Sequence, residues 1–272
     1  MDGVARDGVT VILSPHFDDA VLSCWGLVTS PRELAVVNVC GGLPARGLIT
    51  AVDRLSDARE SRALVEERIV EDAAVLALAG RTPVNLPLVD LQYRAYEIPR
   101  LREAIEEDPL GFVRIVSEKS VAPLDRAELR RAIEVLFPDV AEVWIPAAIG
   151  GHPDHRDVNA LAVPFARDGI AVKLYADVPY AVAYGWPAWV TGDSADPAAE
   201  EYVASFLVGY DGFEPIPTVR RLAGPKTAAK IEALRGYRTQ FDKLNRSFGV
   251  RLDDPEIVGY EVSWALRPVS IG

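Results

Sequence analysis

All three histidines of this 272-residue chain lie in two short segments. The first segment reads His-Phe-Asp-Asp over residues 16–19, and the second reads His-Pro-Asp-His over residues 152–155. Imidazole and carboxylate groups are ligands of catalytic zinc, which keeps three protein ligands and one open position. Two imidazoles and a carboxylate that converge from these segments would form such an open metal site.

The spacing within each segment supports this convergence. His152 and His155 are three residues apart, and Pro153 suits the first position of a helix. Residues three apart share a helix face, and the first segment has the same spacing between its histidine and its second aspartate. Alternatively, each segment alone is explained by hydrogen-bonded surface histidines and by aspartates that cap the following helix. The occurrence of both segments in one chain favours the metal site.

Both segments follow a predicted strand. Apolar runs at residues 9–13 and 143–146 predict buried strands that end just before the two segments. Helices are predicted around residues 20–28 and over 154–166, and another apolar strand at 34–40. Continuous apolar strands that alternate with helices are typical of an α/β fold, with a mostly parallel sheet covered by helices on both faces. Ligands of such sheets bind at the carboxyl ends of the strands, where both segments lie.

The remaining pattern predicts a single domain over residues 1–272, because no repeat or linker is visible. The further predicted elements are helices at 53–79, 124–136 and 223–243, strands at 84–88, 172–178 and 260–266, a charged and less regular segment at 90–120, and a long surface loop at 179–197.

Composition excludes several classes of protein. The 29 basic and 40 acidic residues give a net charge of −11, which disfavours nucleic acid and anionic membranes as partners. Two cysteines exclude a disulfide framework, and the first ten residues lack an apolar leader, so a cytoplasmic location is expected. A chain of this size buries enough core to fold without a metal.

The two histidine segments resemble motifs of the PIG-L/LmbE family of zinc-dependent de-N-acetylases. Residues 14–23 are similar to its first motif, which usually reads Ala/Pro-His-Pro-Asp-Asp-Glu, and residues 151–155 match its second motif, His-Pro-Asp-His. Weaker similarities are an Arg-x-x-Glu pair at Arg68 and Glu71 and a Lys…Ala-Leu…Tyr…Gln pattern at residues 230–240. The similarity extends over residues 9–242.

The resemblance implies a Rossmann-like α/β fold. It also implies an enzyme that removes the N-acetyl group from an amino sugar or related small molecule by hydrolysis, in bacterial secondary or thiol metabolism. By position, it implies these roles: His16, Asp19 and His155 as ligands of Zn²⁺ or Fe²⁺, Asp18 as general base, His152 as the group acting on the oxyanion or leaving amine, Asp154 as the residue that orients His152, and Arg68 as a substrate contact. A carboxylate beside His152 would raise the pKa of its imidazole and favour the charged form.

Three positions depart from the family pattern: Phe17 replaces proline, Ala20 replaces glutamate, and Trp25 stands where glycine is common. These departures motivate an alternative, a catalytically degenerate member that binds a ligand or partner. A third hypothesis is the same chemistry on a different amide, such as an acyl-cysteine conjugate. The sequence carries no signal for the oligomeric state.

Other residues have two interpretations each. Arg68 contacts substrate or lies on a solvated helix face near Glu66, Glu67 and Glu71. The aromatic residues of the 179–197 loop either stack on a sugar or pack onto their own loop; they are Tyr180, Tyr184, Trp186 and Trp189. Cys24 and Cys40 are predicted to be small buried residues rather than nucleophiles.

Overall fold

The computed structural model describes residues 8–118, 123–193 and 196–269, and its strands form one sheet. The strands are β1 Val9–Ser14, β2 Leu34–Asn38, β3 Val84–Asn85, β4 Val140–Pro146, β5 Ala171–Tyr175, β6 Phe213–Arg221 and β7 Tyr260–Pro268. Within the described residues the sheet has seven strands in the order β3-β2-β1-β4-β5-β7-β6. Strands β1 to β5 pair in parallel, and β7 runs antiparallel to β5 and β6. The predicted α/β fold with a mostly parallel sheet is confirmed.

Helices surround this sheet. They span Asp19–Val28, Ala51–Arg54, Ser61–Ala77, Leu91–Tyr96, Pro99–Glu107, Phe112–Glu118, Arg126–Leu136, Pro153–Asn159, Ala162–Arg167, Ala188–Thr191, Pro197–Phe206, Gly224–Arg235, Phe241–Phe248 and Pro255–Val258, with a 3₁₀ turn at Tyr180–Val182. Strand β1 lies at the centre, and its Val11, Ile12 and Leu13 are fully buried. Its uninterrupted apolar run is explained by this burial on both faces.

Three long predicted helices are each divided in two. The helix predicted at 53–79 breaks at Asp57, whose φ of 56° is left-handed. The helix predicted at 154–166 breaks before Pro164, because proline cannot donate the helical hydrogen bond and is tolerated only in a first turn. The helix predicted at 223–243 ends at Arg235, before Gly236.

Strand β6 was not predicted. It contains Pro215 and Pro217, which argue against a strand in sequence. Among the residues that the structure describes, β6 pairs with β7 only, at the edge of the sheet. Proline is tolerated there because one side of an edge strand needs no hydrogen-bond donors.

The charged segment at 90–120 is more regular than predicted. Its described part forms three helices, and their inner faces build a second small core with Ala51 and Val52. Fully buried Leu101 and Ile105 lie in this core. In the part of the chain that the structure describes, no helix is long and apolar enough to cross a lipid bilayer. The first seven residues, predicted to lack a leader, lie outside that part.

Candidate active site

The two histidine segments meet at the carboxyl ends of β1 and β4. These strands are parallel neighbours, and the chain proceeds from β1 to β2 on one side while β4 lies on the other. This is a topological switch point, where α/β sheets open a crevice. His16 follows β1, and His152 and His155 follow β4, so the predicted convergence of the histidines is present.

The three predicted metal ligands form a compact triangle of atoms. His16 Nδ1 lies 3.5 Å from Asp19 Oδ2, and His155 Nε2 lies 3.5 Å from the same oxygen. The two nitrogens are 3.3 Å apart. Ligand bonds of about 2.0–2.1 Å in tetrahedral geometry separate ligand atoms by about 3.3–3.4 Å. The donor atoms of His16, Asp19 and His155 and their spacing therefore fit a divalent metal. A nitrogen of His152 lies within 4.8 Å of nitrogens of His16 and His155.

Two carboxylates hold the ligand imidazoles from behind. Asp177 Oδ1 lies 2.7 Å from His155 Nδ1, and its Oδ2 accepts a hydrogen bond from the backbone of Ile149 at 2.9 Å. Asp154 Oδ2 lies 3.3 Å from His16 Nε2. Carboxylates in these positions fix the orientation and tautomer of metal-binding histidines. Sequence reasoning missed Asp177, because it falls inside the strand predicted over 172–178.

Asp154, which the sequence predicts to orient His152, directs its carboxylate at His16 instead. Besides His16, this carboxylate accepts hydrogen bonds from the Leu91 backbone at 3.0 Å and from Arg94 Nη2 at 2.6 Å. The contact with His152 runs instead through the backbone, since the Asp154 N–H donates to His152 Nδ1 at 3.3 Å. The sequence carried no signal that Arg94 and Leu91 would fold back onto this loop.

The pKa of His152, which was predicted to be raised by Asp154, is instead lowered in the metal-free protein. Burial lowers the pKa of His152 well below its usual value, and the positive charges of His16 and His155 lower it further. These effects exceed the opposing attraction of Asp154. Because Nδ1 accepts the Asp154 N–H, a neutral His152 carries its proton on Nε2 and remains a hydrogen-bond donor there.

Adjacent Asp18 and Asp19 differ in their ionisation. Burial and the negative charge of Asp19 raise the pKa of Asp18 to about 6. Burial also acts on Asp19, but His155 and His16 outweigh it and lower the pKa of that carboxyl. Asp19 is thus held in its charged form, whereas Asp18 has a pKa of about 6 in the metal-free protein.

A cavity of about 300 Å³ opens onto these residues. Arg68 lies on its wall with only 7 % of its surface exposed, so the solvated-face interpretation of Arg68 is wrong. Of the four loop aromatics, Tyr180 lines the cavity, Trp186 is buried, and Tyr184 and Trp189 are exposed. Trp186 donates a hydrogen bond to the Ile257 backbone, outside its own loop.

The residues that depart from the family pattern fill space around the site. Phe17 packs against Val65 and Tyr93, while Ala20 and Trp25 are buried in the main core. None of them displaces the triangle of ligand atoms.

Both cysteines are buried and free, as predicted. Cys40 lines the cavity, and burial together with the negative charge of Asp154 raises the pKa of its thiol well above its usual value. A protonated thiol is a weak nucleophile. The absence of a cysteine nucleophile was predicted, and this shift is consistent with it.

Comparison with known proteins identifies deacetylases. The chain is 25 % identical over 189 residues to a 2'-N-acetylparomamine deacetylase of Niallia circulans, covering 62 % of this chain and 66 % of that protein. It is 30 % identical over 190 residues to a 2'-N-acetylparomamine deacetylase of Streptomyces fradiae, covering 65 % and 59 % respectively. The matches therefore span somewhat less than two thirds of each relative. No protein-family model matches the chain.

Solved structures share the fold over nearly the whole chain. A triple mutant of a deacetylase from the teicoplanin biosynthetic pathway matches with a TM-score of 0.66 at 22 % identity, covering 97 % of this chain and 99 % of that one. The A40926 pseudoaglycone deacetylase Dbv21 matches with a TM-score of 0.64 at 22 % identity, covering 98 % and 100 %. The chain thus has the fold of these deacetylases.

Proposed function

We propose that this protein is a metal-dependent hydrolase of the PIG-L/LmbE type that removes the N-acetyl group from an amino sugar. The observation that carries the proposal is the triangle of His16 Nδ1, Asp19 Oδ2 and His155 Nε2 at 3.3–3.5 Å. The sugar substrate is supported by the relatives, which are named as deacetylases of an N-acetylated paromamine.

His16, Asp19 and His155 would hold the metal, with zinc and ferrous iron as the candidates. A divalent ion in such a site polarises the amide carbonyl and lowers the pKa of water. Asp177 and Asp154 keep the two imidazoles in place through their hydrogen bonds. The negative charge of these carboxylates also favours a cation between the histidines.

Asp18 is the proposed general base. Its carboxyl lies on the cavity wall beside a ligand, and it is not part of the ligand triangle. A pKa of about 6 in the metal-free protein suits a group that takes a proton from water at neutral pH. After the water oxygen bonds to the amide carbon, Asp18 passes that proton to the leaving nitrogen. The carbon–nitrogen bond then breaks, giving acetate and the free amine.

His152 is the proposed donor to the developing oxyanion. Its neutral ring carries a proton on Nε2, and the residue lines the same cavity. A fixed donor of this kind stabilises charge that appears only in the transition state. His152→Ala is therefore expected to lower kcat more than it raises KM.

The test is release of acetate by the metal-loaded protein from N-acetylglucosamine and from 2'-N-acetylparomamine. Asp18→Asn serves as the inactive variant, and Asp211→Asn, on an exposed loop, serves as its matched control. We expect turnover by the wild type and by the Asp211 variant. Acetate release no faster than that of the Asp18 variant on either substrate would contradict the proposal.

A further inference from the structure

Two cations on the cavity wall make no hydrogen bond or ion pair with the described residues. The Arg68 side chain is buried, and its Nε is fully enclosed without a hydrogen-bond partner. Lys243 belongs to the helix Phe241–Phe248 and lines the same cavity half-buried. Among the described residues, neither side chain makes a hydrogen bond or an ion pair.

Two other enclosed cations of the described chain are held in ion pairs. Lys230, fully buried, lies 3.2 Å from Glu261, and Arg94 lies 2.6 Å from Asp154. An unpaired charge removed from water destabilises the fold unless something compensates it. The unpaired state of Arg68 and Lys243 is therefore an exception that needs a physical cause.

The two cations also act on each other. Burial and the positive charge of Arg68 lower the pKa of Lys243 to about 8, so Lys243 remains largely protonated at pH 7. Asp53, Asp90 and Asp18 attract it, but none of them forms an ion pair with Lys243 among the described contacts. One Asp53 oxygen accepts a hydrogen bond from the Gln92 side chain at 2.7 Å, and its other oxygen has no hydrogen-bond partner. An Asp90 oxygen accepts a hydrogen bond from the Gln92 backbone.

Arg68 and Lys243 line the same cavity as the residues of the proposed reaction. The positive charge of Arg68 acts on the proposed general base Asp18 and on Lys243, and all three residues line one cavity. A group bound by the two cations would therefore lie in the same cavity as the amide. A guanidinium presents a planar fork that matches carboxylate and phosphate oxygens, and an ammonium adds a point charge.

We propose that Arg68 and Lys243 bind an acidic group, a carboxylate or a phosphate, that the substrate carries on its amino sugar. The inference rests on the proposed function, because it assigns a substrate class to that same site. An acidic group between the two cations would remove their repulsion and give the buried guanidinium its missing acceptors.

The experiment compares three substrates of the metal-loaded protein: N-acetylglucosamine, N-acetylmuramic acid, which adds a carboxylate, and N-acetylglucosamine 6-phosphate. We expect kcat/KM for one acidic substrate to exceed that of the neutral parent by about tenfold or more, mainly through KM. The two acids distinguish a carboxylate site from a phosphate site. Lys243→Met is expected to remove the advantage, Lys243→Arg to keep most of it, and Lys226→Met, an exposed control, to leave it unchanged.

A binding measurement separates this inference from the proposed function. Glucosamine, muramic acid and glucosamine 6-phosphate are titrated calorimetrically into wild-type and Lys243→Met protein. Tighter binding of an acid, lost in the variant, would support the cation pair even if no substrate were hydrolysed. Equal affinity for the neutral and acidic sugars, or an acid preference that survives Lys243→Met and Arg68→Met, would overturn the inference.

Discussion

The cavity has two kinds of charged wall. On the histidine wall, formed by the loops after β1 and β4, each metal-site imidazole faces a carboxylate, and those carboxylates have further donors. On the cation wall, Arg68 and Lys243 make no hydrogen bond or ion pair within the described chain. The polar groups of the histidine wall are thus already paired with protein groups, whereas the two cations of the other wall are not.

The two proposed ligands, a metal ion and an acidic substrate group, would account for this difference. A metal ion needs ligands held in fixed positions, which surrounding hydrogen bonds provide. A substrate that arrives and leaves needs groups that are not already occupied. The following predictions test whether the two walls respond to substitution in these opposite ways.

The largest effect is expected on the histidine wall, from substitution of a residue predicted to bind the metal. His155→Gln should lose the bound metal in elemental analysis and lower kcat by at least about 1,000-fold, because the several kcal/mol supplied by the ion are lost. The thermal transition should persist, since the core does not depend on the ion. Metal content equal to wild type would show that His155 is not a ligand.

Asp18→Asn should keep the metal but lower kcat by about 10²–10⁴-fold, because an amide cannot take the proton. The acid limb of the wild-type rate profile should lie at or below about pH 6, since a bound cation can only lower the pKa of Asp18 from its metal-free value. The variant should lack this limb. A wild-type limb above pH 7 would assign the base to another group.

The same raised pKa predicts a pH-dependent stability. The folded metal-free protein binds the Asp18 proton more tightly than the unfolded chain, so the resulting stabilisation is complete below about pH 4 and is lost as pH rises through about 6. Metal-free Asp18→Asn should therefore unfold at a higher temperature than wild type at pH 8, and the difference should shrink at pH 4. A constant difference would indicate that Asp18 does not titrate in this range.

Asp177→Asn should have a smaller effect, because Asp177 acts through His155. We expect metal affinity to fall by about 10–100-fold, as for carboxylates behind metal-bound histidines. An asparagine oxygen still accepts a hydrogen bond from His155 Nδ1, so the His155 ring keeps its orientation. Only the negative charge at position 177 is lost. Competition with a metal chelator measures the change, and unchanged affinity would limit Asp177 to a structural role.

The histidine wall was largely predictable from the sequence. Its ligand candidates lie in two contiguous segments, each directly after an apolar strand, and parallel strands bring such ends to one edge. The hydrogen bonds of Asp154 were not predictable, because Arg94 and Leu91 reach it from a segment that appeared irregular in sequence. The charge of His152 was predicted incorrectly, since it depends on burial and on two neighbouring rings.

The cation wall was predictable only in part. Arg68 was selected by a resemblance, but the helix around it reads as charged and solvated, and its burial depends on distant residues. Lys243 appeared to lie within one long helix at 223–243, whereas it belongs to the separate helix Phe241–Phe248. The break between these helices positions the lysine at the cavity, and a periodicity argument does not detect it.

The smallest effect, and the one that separates the walls most directly, is on stability. Arg68→Met removes a buried charge that has no partner, so it should raise the unfolding temperature by about 2–8 °C, from a gain of about 1–2 kcal/mol. Arg94→Met is the matched comparison: it deprives buried Asp154 of its 2.6 Å partner and should lower the unfolding temperature. Differential scanning calorimetry of both metal-free variants, in a buffer without carboxylate or phosphate, measures the contrast. If Arg68→Met destabilises the protein as Arg94→Met does, Arg68 is a structural residue, because a side chain held free for a ligand cannot contribute to the stability of the unliganded fold.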